Sequence, residues 1–466
     1  MGMNRLRFSW FLSTYRDFIV LFFLCLIINS IVFSVTYSRG NLDPRRLTTD
    51  AREYYTLATN MVERGVFSRM EQAPFIPDRF RTPAYPLVVG AFAKVFGGIG
   101  VLLVFQIFLS YISAIGVYWI TDFLWNSRSV ALIAGSAFLS NPLVFILANS
   151  VFSETVFLFL LIFGVYYFLR YLRSNSTRLF MLAMALFSFA ALTRPIALYL
   201  VFAALGYSVL VRFNFKKLVL NTFLFAVIFS AVLFPWSLRN KLIFGDWHFT
   251  TADIINMYYL HIGQLYAWQN DISFHDAMET LSAMCTPAKL SENFDGKCVN
   301  IEMRRLFMPL LSEIEPATIA KYAALGSIRY FFNDGFTEFG NWLCRYQCPV
   351  ASVNIIDALA NGGPSILSIM KSKPPVLLSM WIVGKAIWSV IFLSLGFLAW
   401  NGRRYVVQRE PALFLLMILG YFFLFSIPAW TIRYRVPFDT FIFVFAAAGF
   451  WHLKGRVVHY VRHQRI

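Results

Sequence analysis

The chain has 466 residues, of which 58% are hydrophobic, 18% are aromatic and 14% are charged, and its formal net charge is +17. These proportions exclude a soluble enzyme and a disordered chain, and they are typical of a protein built mostly of bilayer-spanning segments. The positive charge does not indicate a nucleic-acid partner, because it lies between apolar runs of roughly 20 residues, the length that crosses a hydrocarbon core.

Ten apolar segments are predicted to cross the membrane as helices. The first is preceded by basic residues and is not followed by a small-residue cleavage site, so it is predicted to be a retained anchor that enters from the cytoplasm. Because ten is an even number, both termini are expected on the same side. The segments are 18–37, 99–120, 129–148, 154–170, 179–193, 196–211, 218–236, 377–400, 411–428 and 437–453.

Basic residues mark the predicted cytoplasmic face. The short pieces on that face contain many Arg and Lys residues but few acids, namely Asp17, Asp122 and Glu410. This distribution follows the positive-inside rule, and it places both termini in the cytoplasm. The basic residues are Arg5, Arg7, Arg16, Arg128, Arg170, Arg173, Arg178, Arg212, Lys216, Lys217, Arg403, Arg404, Arg409, Lys454, Arg456, Arg462 and Arg465.

The predicted topology divides the chain into three parts. Residues 1–236 form an N-terminal transmembrane module, residues 237–376 form an extracytoplasmic segment, and residues 377–466 form a C-terminal transmembrane module with a basic cytoplasmic tail. Amphipathic stretches at 301–311 and 316–332 predict helical hairpins in the extracytoplasmic segment.

Cysteine usage agrees with an oxidising environment around the extracytoplasmic segment. Four of the five cysteines lie there, whereas Cys25 lies in the first span. One or two disulfides are expected, most simply Cys285–Cys298 and Cys344–Cys348. A zinc site is the weaker alternative, because the cysteine spacings contain no C-x-x-C pair.

The first outer loop, 38–98, contains a predicted amphipathic helix. The helix begins near Asp50, ends before Gly65 and is expected to lie flat on the membrane. In a structural interpretation, Asp50 at the N-cap and Glu53 three residues later form a capping box. In a functional interpretation, Asp50 is a carboxylate on the outer face that accepts a proton. The apolar face of the helix consists of Tyr54, Leu57, Ala58, Met61 and Val62.

This loop carries a resemblance to a known family. The string at 50–68, followed by R-T-P-A-Y-P-L at 81–87, resembles the first outer loop of the GT-C glycosyltransferases. It is most similar to the branch with the protein O-mannosyltransferase-like, aminoarabinose-transferase-like and rhizobial lipopolysaccharide-core transferases. Ala51 and Glu53 stand where some relatives have adjacent acids, and Ala84 stands where Gly is usual. Further matches follow in order at Ser153-Glu154, Leu192-Thr193-Arg194-Pro195, Pro235-Trp236-Ser237-Leu238-Arg239-Asn240 and Arg433-Tyr434-Arg435-Val436-Pro437.

The resemblance implies an all-α, GT-C-like bundle and an inverting transferase that moves a sugar from a polyprenyl-phosphate carrier to an acceptor hydroxyl. The acceptor would be a lipid, a glycan or a protein, on the extracytoplasmic face of a bacterial cytoplasmic membrane. Because a phosphate ester leaves readily, one carboxylate base and a cationic clamp suffice, whereas glycosidases usually need two carboxylates. No cofactor is expected, and a divalent cation held by Asp50 and Glu154 is the alternative.

Candidate residues for the acceptor side follow from this chemistry. We assign Asp50 as the general base, with Glu53, Tyr54 and Tyr85 in the acceptor pocket. Glu154 opens an apolar span, where a carboxylate is costly unless it is paired or faces water. It is therefore expected either to contact an arginine or acceptor hydroxyl, or to be a plain acid at a helix start.

Candidate residues for the donor phosphate are Arg81, Arg239, Arg433, Arg435 and Lys385. Arginine suits phosphate because its planar fork gives two parallel charge-assisted hydrogen bonds. The alternative for each arginine is an interfacial anchor bound to ordinary lipid headgroups. Lys385 lies within an apolar stretch, and its alternatives are snorkelling to the interface or a position in an interfacial helix.

Two other classes of membrane protein compete with a glycosyltransferase. A glycan-lipid transporter or flippase predicts charges near the centres of the spans and broken helices at the midplane. Here the span centres are nearly free of charge, and the candidate residues gather at one face. A polysaccharide polymerase or ligase would use a similar donor lipid, but it would depend on outer-loop Arg or His residues instead of an acid in the first loop.

Overall fold

The computed structural model describes residues 2–40, 42–211, 215–284, 300–332, 334–344, 374–401, 408–426 and 432–463. Within these ranges the regular structure is helical and no strand occurs. The chain is an all-α polytopic membrane protein, as predicted. Its α-helices are α1 (Gly2–Ser38), α2 (Thr49–Arg64), α3 (Ala84–Val89), α4 (Ile99–Trp125), α5 (Arg128–Leu139), α6 (Pro142–Ala148), α7 (Glu154–Ser174), α8 (Thr177–Thr193), α9 (Leu198–Val211), α10 (Phe215–Phe244), α11 (Ala252–Ile255), α12 (Gly263–Gln269), α13 (Phe274–Ala283), α14 (Asn300–Glu313), α15 (Pro316–Phe332), α16 (Gly335–Cys344), α17 (Pro375–Asn401), α18 (Arg409–Ser426) and α19 (Val436–His463).

Seven helices among the described residues are long and apolar enough to cross a membrane. An eighth candidate is the pair α5 and α6, which is bent by 57°. The bend lies just before Pro142, whose ring favours the start of a new helix over continuation of the old one. The seven are Tyr15–Ser38, Ile99–Trp125, Glu154–Ser174, Phe215–Phe244, Pro375–Asn401, Arg409–Ser426 and Ile432–Arg456.

Among the described residues, fewer helices than the ten predicted spans meet the criteria of length and composition. The predicted spans 179–193 and 196–211 correspond to apolar helices of 10–17 residues, Thr177–Thr193 and Pro195–Val211. The chain breaks between them because Pro195 has no N–H donor and disfavours the helical conformation in Arg194. Arg194 is accordingly extended, with φ −144° and ψ 123°.

Two compact units make up the chain, each assembled from pieces far apart in sequence. Unit 1 comprises Met1–Ser30, Ala114–Ile146 and Ala324–Ile466, and unit 2 comprises Ile31–Ser113 and Leu147–Ala323. The division of the chain into three parts follows membrane topology instead of compactness, and it stays a prediction.

In unit 1, α19 packs against α5 and α17, and α16 packs against α17. Helices α17 and α19 come close at Gly449. A Cβ atom added there would lie 2.0 Å from the carbonyl oxygen of Ser394. The missing side chain of Gly449 therefore permits this approach, as small residues commonly do between membrane helices.

In unit 2, α8 packs against α7 and α10, and the first outer loop folds over its own core. Helix α2 buries Ala51, Tyr54 and Ala58 in that core. The helix ends at Gly65, whose φ of +68° allows the left-handed C-cap. The predicted start and end of this amphipathic helix are thus close to those observed.

The segment predicted to be extracytoplasmic, 237–376, is mostly helical where the structure describes it. The predicted stretches 301–311 and 316–332 are confirmed as α14 and α15. The predicted disulfides Cys285–Cys298 and Cys344–Cys348 stay predictions, because Cys285, Cys298 and Cys348 lie outside the described residues.

Candidate active site

A cavity of about 460 Å³ opens in unit 2 between the first outer loop and helices α11 to α14. One wall is mostly charged and the other is mostly apolar. The charged wall contains Thr49, Asp50, Glu53, Arg69, Asp78, Arg79 and Arg81. The remaining wall residues are Ile76, Pro77, Phe80, Phe244, Thr251, Ile255, Asn256, Tyr259, Leu260, Met278 and Met303.

Asp50 and Glu53 lie in the first turns of α2, three residues apart, so their side chains share one face of the helix. The capping-box interpretation is wrong. The N-cap is Thr48, it makes no side-chain cap hydrogen bond, and the helix begins at Thr49. Both carboxylates pair with the guanidinium of Arg81.

Arg81 bridges the two carboxylates. Its Nη2 lies 2.8 Å from Asp50 Oδ1 and 2.6 Å from Glu53 Oε2, and its Nε donates to the same Glu53 oxygen at 2.9 Å. The guanidinium also stacks over Tyr54, 4.8 Å from the ring centre. Burial alone would lower the pKa of Arg81, but the negative charges around it outweigh burial and raise that pKa.

Arg69 and Asp78 complete a ring of charges. Arg69 donates to Glu53 Oε1 at 3.0 Å and to Asp78 Oδ1 at 2.7 Å, and the other Asp78 oxygen accepts the backbone N–H of Arg81 at 3.0 Å. The exposed fractions of the carboxylate side chains are 26% for Asp50, 16% for Glu53 and 6% for Asp78. Asp50 is therefore the most accessible of the three acids in the ring.

Arg79 anchors the charged wall to the end of α10. It lies 2.7 Å from Asp246 and 4.5 Å from the ring centre of Phe244. Burial alone would raise the pKa of Asp246, but hydrogen bonds from Arg79 and His248 lower it to about 2. The Asp246 carboxylate thus stays charged at neutral pH and keeps its partner.

Arg239 lies behind the charged wall. Its Nη1 donates to the carbonyl oxygen of Asp78 at 2.6 Å, and its guanidinium lies 4.7 Å from the ring centre of Trp236. Arg239 therefore supports the segment that carries Arg79 and Arg81, and it is absent from the cavity wall.

Tyr54 and Tyr85 lie beneath the cavity in the core of unit 2. Their rings meet edge to face at 4.8 Å, and Tyr85 donates to Gln106 at 2.7 Å. Tyr54 donates to the hydroxyl of Ser153 at 3.2 Å. Both rings are buried, so they position α2 and Arg81 and do not line the cavity.

Glu154 pairs with Arg194, one of the alternatives expected for it. The two side chains meet at 2.5 Å, with exposed fractions of 3% for Glu154 and 14% for Arg194. Arg194 also donates to Ser153 at 3.2 Å, the same hydroxyl that accepts from Tyr54. This contact joins the start of α7 to the end of α8.

Arg435 lies in unit 1 and is almost fully buried. It contacts Asp439 at 2.6 Å, donates to the Tyr330 carbonyl oxygen at 2.7 Å and lies 3.7 Å from the ring centre of Trp388. Asp439 in turn accepts from Asn141 at 3.2 Å. These contacts give Arg435 a packing role in unit 1.

Lys385 and Arg433 also belong to unit 1. Lys385 pairs with Asp334 at 2.8 Å, with exposed fractions of 30% for Lys385 and 1% for Asp334. A Cβ on Gly384 would lie 2.6 Å from the Asp334 carboxylate, so glycine makes room for the acid. Arg433 lies 5.7 Å from the ring centre of Tyr434.

Residue patterns placed Arg79 at the same interface as Asp50 but gave it no role, and they did not single out Arg69, Asp78 and Asp246 as members of the site. Arg79 and its partner Asp246 are 167 positions apart, and no sequence periodicity relates them. The alternation of charge and ring in Asp78-Arg79-Phe80-Arg81 was the available signal.

Comparison with known proteins gives a family match over about a third of the chain. Residues 80–237 match the family model described as dolichyl-phosphate-mannose-protein mannosyltransferase, within the GT-C superfamily. This match bears out the predicted GT-C resemblance over residues 80–237. The matched segment contains Arg81, Glu154, Arg194 and most of α10, and it begins after Asp50. No curated protein matches the chain.

Among solved structures, the similarities are distant. The chain is 15% identical to the apo oligosaccharyltransferase of Archaeoglobus fulgidus, covering 98% of this chain and 52% of that one, with a TM-score of 0.49. The chain is also 15% identical to A. fulgidus AglB in complex with an inhibitory peptide and a dolichol-phosphate. That match covers 97% of this chain and 52% of that one, with a TM-score of 0.48. The chain is 13% identical to ArnT from Cupriavidus metallidurans bound to undecaprenyl phosphate. That match covers 91% of this chain and 77% of that one, with a TM-score of 0.37. The chain spans about half the length of the archaeal protein.

Proposed function

We propose that the protein is an inverting glycosyltransferase that moves a sugar from a polyprenyl-phosphate carrier to the hydroxyl of a lipid, glycan or protein acceptor. The observation that carries this proposal is the accessible carboxylate of Asp50 at a cavity that also contains three guanidinium groups. A base and a cationic clamp are the two requirements of the reaction, and both face the same space.

In the proposed reaction the acceptor oxygen attacks C1 of the donor sugar as the bond from C1 to the phosphate oxygen breaks. The bonding electrons leave with the phosphate, and the acceptor proton passes to Asp50. Attack from the side opposite the phosphate inverts the configuration at C1. Asp50 is preferred over Glu53 and Asp78 as the base because it is the most exposed of the three.

Arg79 and Arg81 are the proposed clamp for the leaving phosphate, since both line the cavity. Arg239 supports them through the Asp78 carbonyl. Arg433, Arg435 and Lys385 remain candidates for donor binding. Arg435 and Lys385 pair with acids of unit 1, just as Arg79 and Arg81 pair with acids of unit 2. A raised donor KM after their replacement is the observation that would support them.

The test replaces Asp50 with Asn and follows sugar transfer to envelope lipids and glycans by mass spectrometry in a deletion strain. A positioned carboxylate base typically contributes about 10²–10⁴-fold, so Asp50→Asn should retain at most about 1% of the activity. Glu63→Gln is the matched control, because Glu63 lies on the same helix, 47% exposed, outside the cavity wall. Full transfer by Asp50→Asn at normal abundance would refute the assignment.

The proposed chemistry works without a metal, because guanidinium groups supply the positive charge. Transfer by the wild-type protein should therefore persist in EDTA. Loss of transfer that Mg²⁺ or Mn²⁺ restores would show that a divalent cation acts at the site.

A further inference from the structure

The apolar wall of the cavity contains a helix with one wide turn. Helix α11 continues through a π-helix, Asn256–Ile262, into α12. Such turns are rare, and they occur frequently at functional sites. Here the wide turn carries three of the cavity residues, Asn256, Tyr259 and Leu260.

The back of the π-helix is fixed by a hydrophobic core. Tyr258 is fully buried and donates from its hydroxyl to the Leu281 carbonyl oxygen at 3.1 Å. Ile254 and Ile262 pack in the same core with Met303. The side chains that face the cavity are therefore held by a well-packed element, as specific recognition requires.

The front end of the same helix is tied to the charged wall. Thr250 donates from its hydroxyl to the Phe80 carbonyl oxygen at 2.9 Å, and the Thr251 N–H donates to the Arg79 carbonyl oxygen at 3.3 Å. The π-helix thus has a defined position relative to Arg81 and the acids that Arg81 holds.

Asn256 is a polar side chain of this helix that lines the cavity. It is half-buried at the cavity, and its amide has no hydrogen-bond partner among the residues that the structure describes. The charged wall differs, since Asp50, Glu53 and Asp78 each pair with an arginine. A polar group at a mostly apolar wall calls for a partner, and the amide offers both N–H donors and a carbonyl acceptor.

We propose that Asn256 hydrogen-bonds a hydroxyl group of a substrate sugar and thereby determines which sugar the site accepts. An amide suits a neutral hydroxyl, which can donate and accept in the same contact, whereas an anion is better bound by the arginines opposite. This assignment rests on the proposed function. The sugar is either the one transferred or one in the acceptor, because both would enter the same cavity.

The test uses the full-length protein in lipid nanodiscs, with host membranes from a deletion strain as the acceptor source. The donors are polyprenyl phosphates carrying mannose, glucose, galactose or N-acetylglucosamine, and the fastest donor is then compared with its monodeoxy forms. Asn256→Ala is expected to lower kcat/KM about 10-fold, the cost of one lost hydrogen bond in a site built for it. Met257→Ala is the matched control, since Met257 lies on the same π-helix, is 47% exposed and is absent from the cavity wall.

The pattern across substrates separates the two sources of the hydroxyl. If Asn256 contacts the transferred sugar, one monodeoxy donor is poor with the wild-type protein, and Asn256→Ala shows no further loss with it. If it contacts the acceptor, the acceptor KM rises and all donors are affected equally. Asn256→Ser keeps a shorter hydrogen-bonding group, so its kcat/KM should lie between those of the wild-type protein and Asn256→Ala. This variant guards against the case in which Asn256→Ala fails to fold.

Kinetics of Asn256→Ala within twofold of wild type, for both donor and acceptor, would overturn this inference and leave the glycosyltransferase proposal intact. No transfer by the wild-type protein from any of the donors would instead contradict the proposed function itself, and the inference with it.

Discussion

Arg81 is the residue on which the geometry of the charged wall depends. Its planar guanidinium contacts Asp50 and Glu53 together and rests on the Tyr54 ring. Without Arg81, the two carboxylates would repel each other across one face of α2. A point charge at the end of a flexible chain cannot reproduce this arrangement.

We therefore expect Arg81→Lys to reduce transfer strongly, by about 10-fold or more, because the lysine ammonium cannot make the forked contact with both acids. The thermal midpoint of the purified protein should fall as well, since Glu53 loses a buried partner. Initial transfer rates and melting followed by intrinsic fluorescence measure the two effects.

Arg52→Lys is the control for this substitution. Arg52 also lies on α2, but it is exposed and donates to the Arg45 carbonyl oxygen. Equal rates for Arg81→Lys and Arg52→Lys would show that charge alone, not the fork, is what the site requires.

For single residues, the sequence predicted which residues belong to the site better than it predicted the contacts between them. Asp50, Arg81 and Glu154 were identified from residue type and resemblance, and each lies in or beside the charged wall or in an ion pair of unit 2. The Arg69 contacts were not predictable, because they depend on how an irregular loop folds back. The capping box failed because a tertiary partner, Arg81, competes successfully with the helix start for both carboxylates.

Helices were the most predictable elements, since long apolar runs have few alternatives in a membrane. Every predicted span corresponds to helix in at least part of its length where the structure describes it. The wide turn at Asn256–Ile262 was not predictable, because no local residue type demands a π-helix. Close helix contacts such as the one at Gly449 also depend on the partner helix, which local sequence does not reveal.

The contact at Gly449 gives a prediction for the packing of α17 and α19. Gly449→Ala would place a methyl group against the Ser394 backbone, so the helices must separate, and overpacking of this kind costs about 1–3 kcal/mol. The thermal midpoint in detergent should fall. Gly455→Ala on the same helix should keep or raise it, because a Cβ there meets nothing within 4 Å and alanine favours helix.

Opposite effects of the two substitutions would identify helix packing as the cause. A midpoint for Gly449→Ala equal to that of Gly455→Ala would contradict the close approach.

For the whole molecule, the contact between α7 and α8 bears on the number of membrane crossings. Helix α8 is shorter than the seven long candidates, but its C-terminal neighbour Arg194 pairs with Glu154 at the N-terminus of α7. Helices α7 and α8 also pack against each other. We infer that α8 runs back alongside α7 over the full length of α7. Helix α8 therefore crosses the membrane if α7 does.

This inference predicts the result of topology mapping with alkaline phosphatase fusions, which are active only outside the cytoplasm. Fusions at residues 64 and 194 should be active, and fusions at residues 175 and 213 should be inactive, because the flanking loops at 175 and 213 are basic. An inactive fusion at 194 beside an active one at 64 would show that α8 does not cross. Inactivity at 64 would place Asp50 in the cytosol and end the proposed reaction.

The hydrogen bonds between the two cavity walls bear on how the specificity of such a site can change in evolution. The Arg79 and Phe80 carbonyl groups accept the hydrogen bonds that connect them to residues 250 and 251, and every amino acid supplies a carbonyl. Under the proposed function, substitutions along the helix that bears Asn256 would therefore alter which sugar is bound while Asp50 and Arg81 keep their positions. Descendants of one ancestral gene could in this way come to modify different surface glycans with the same underlying chemistry.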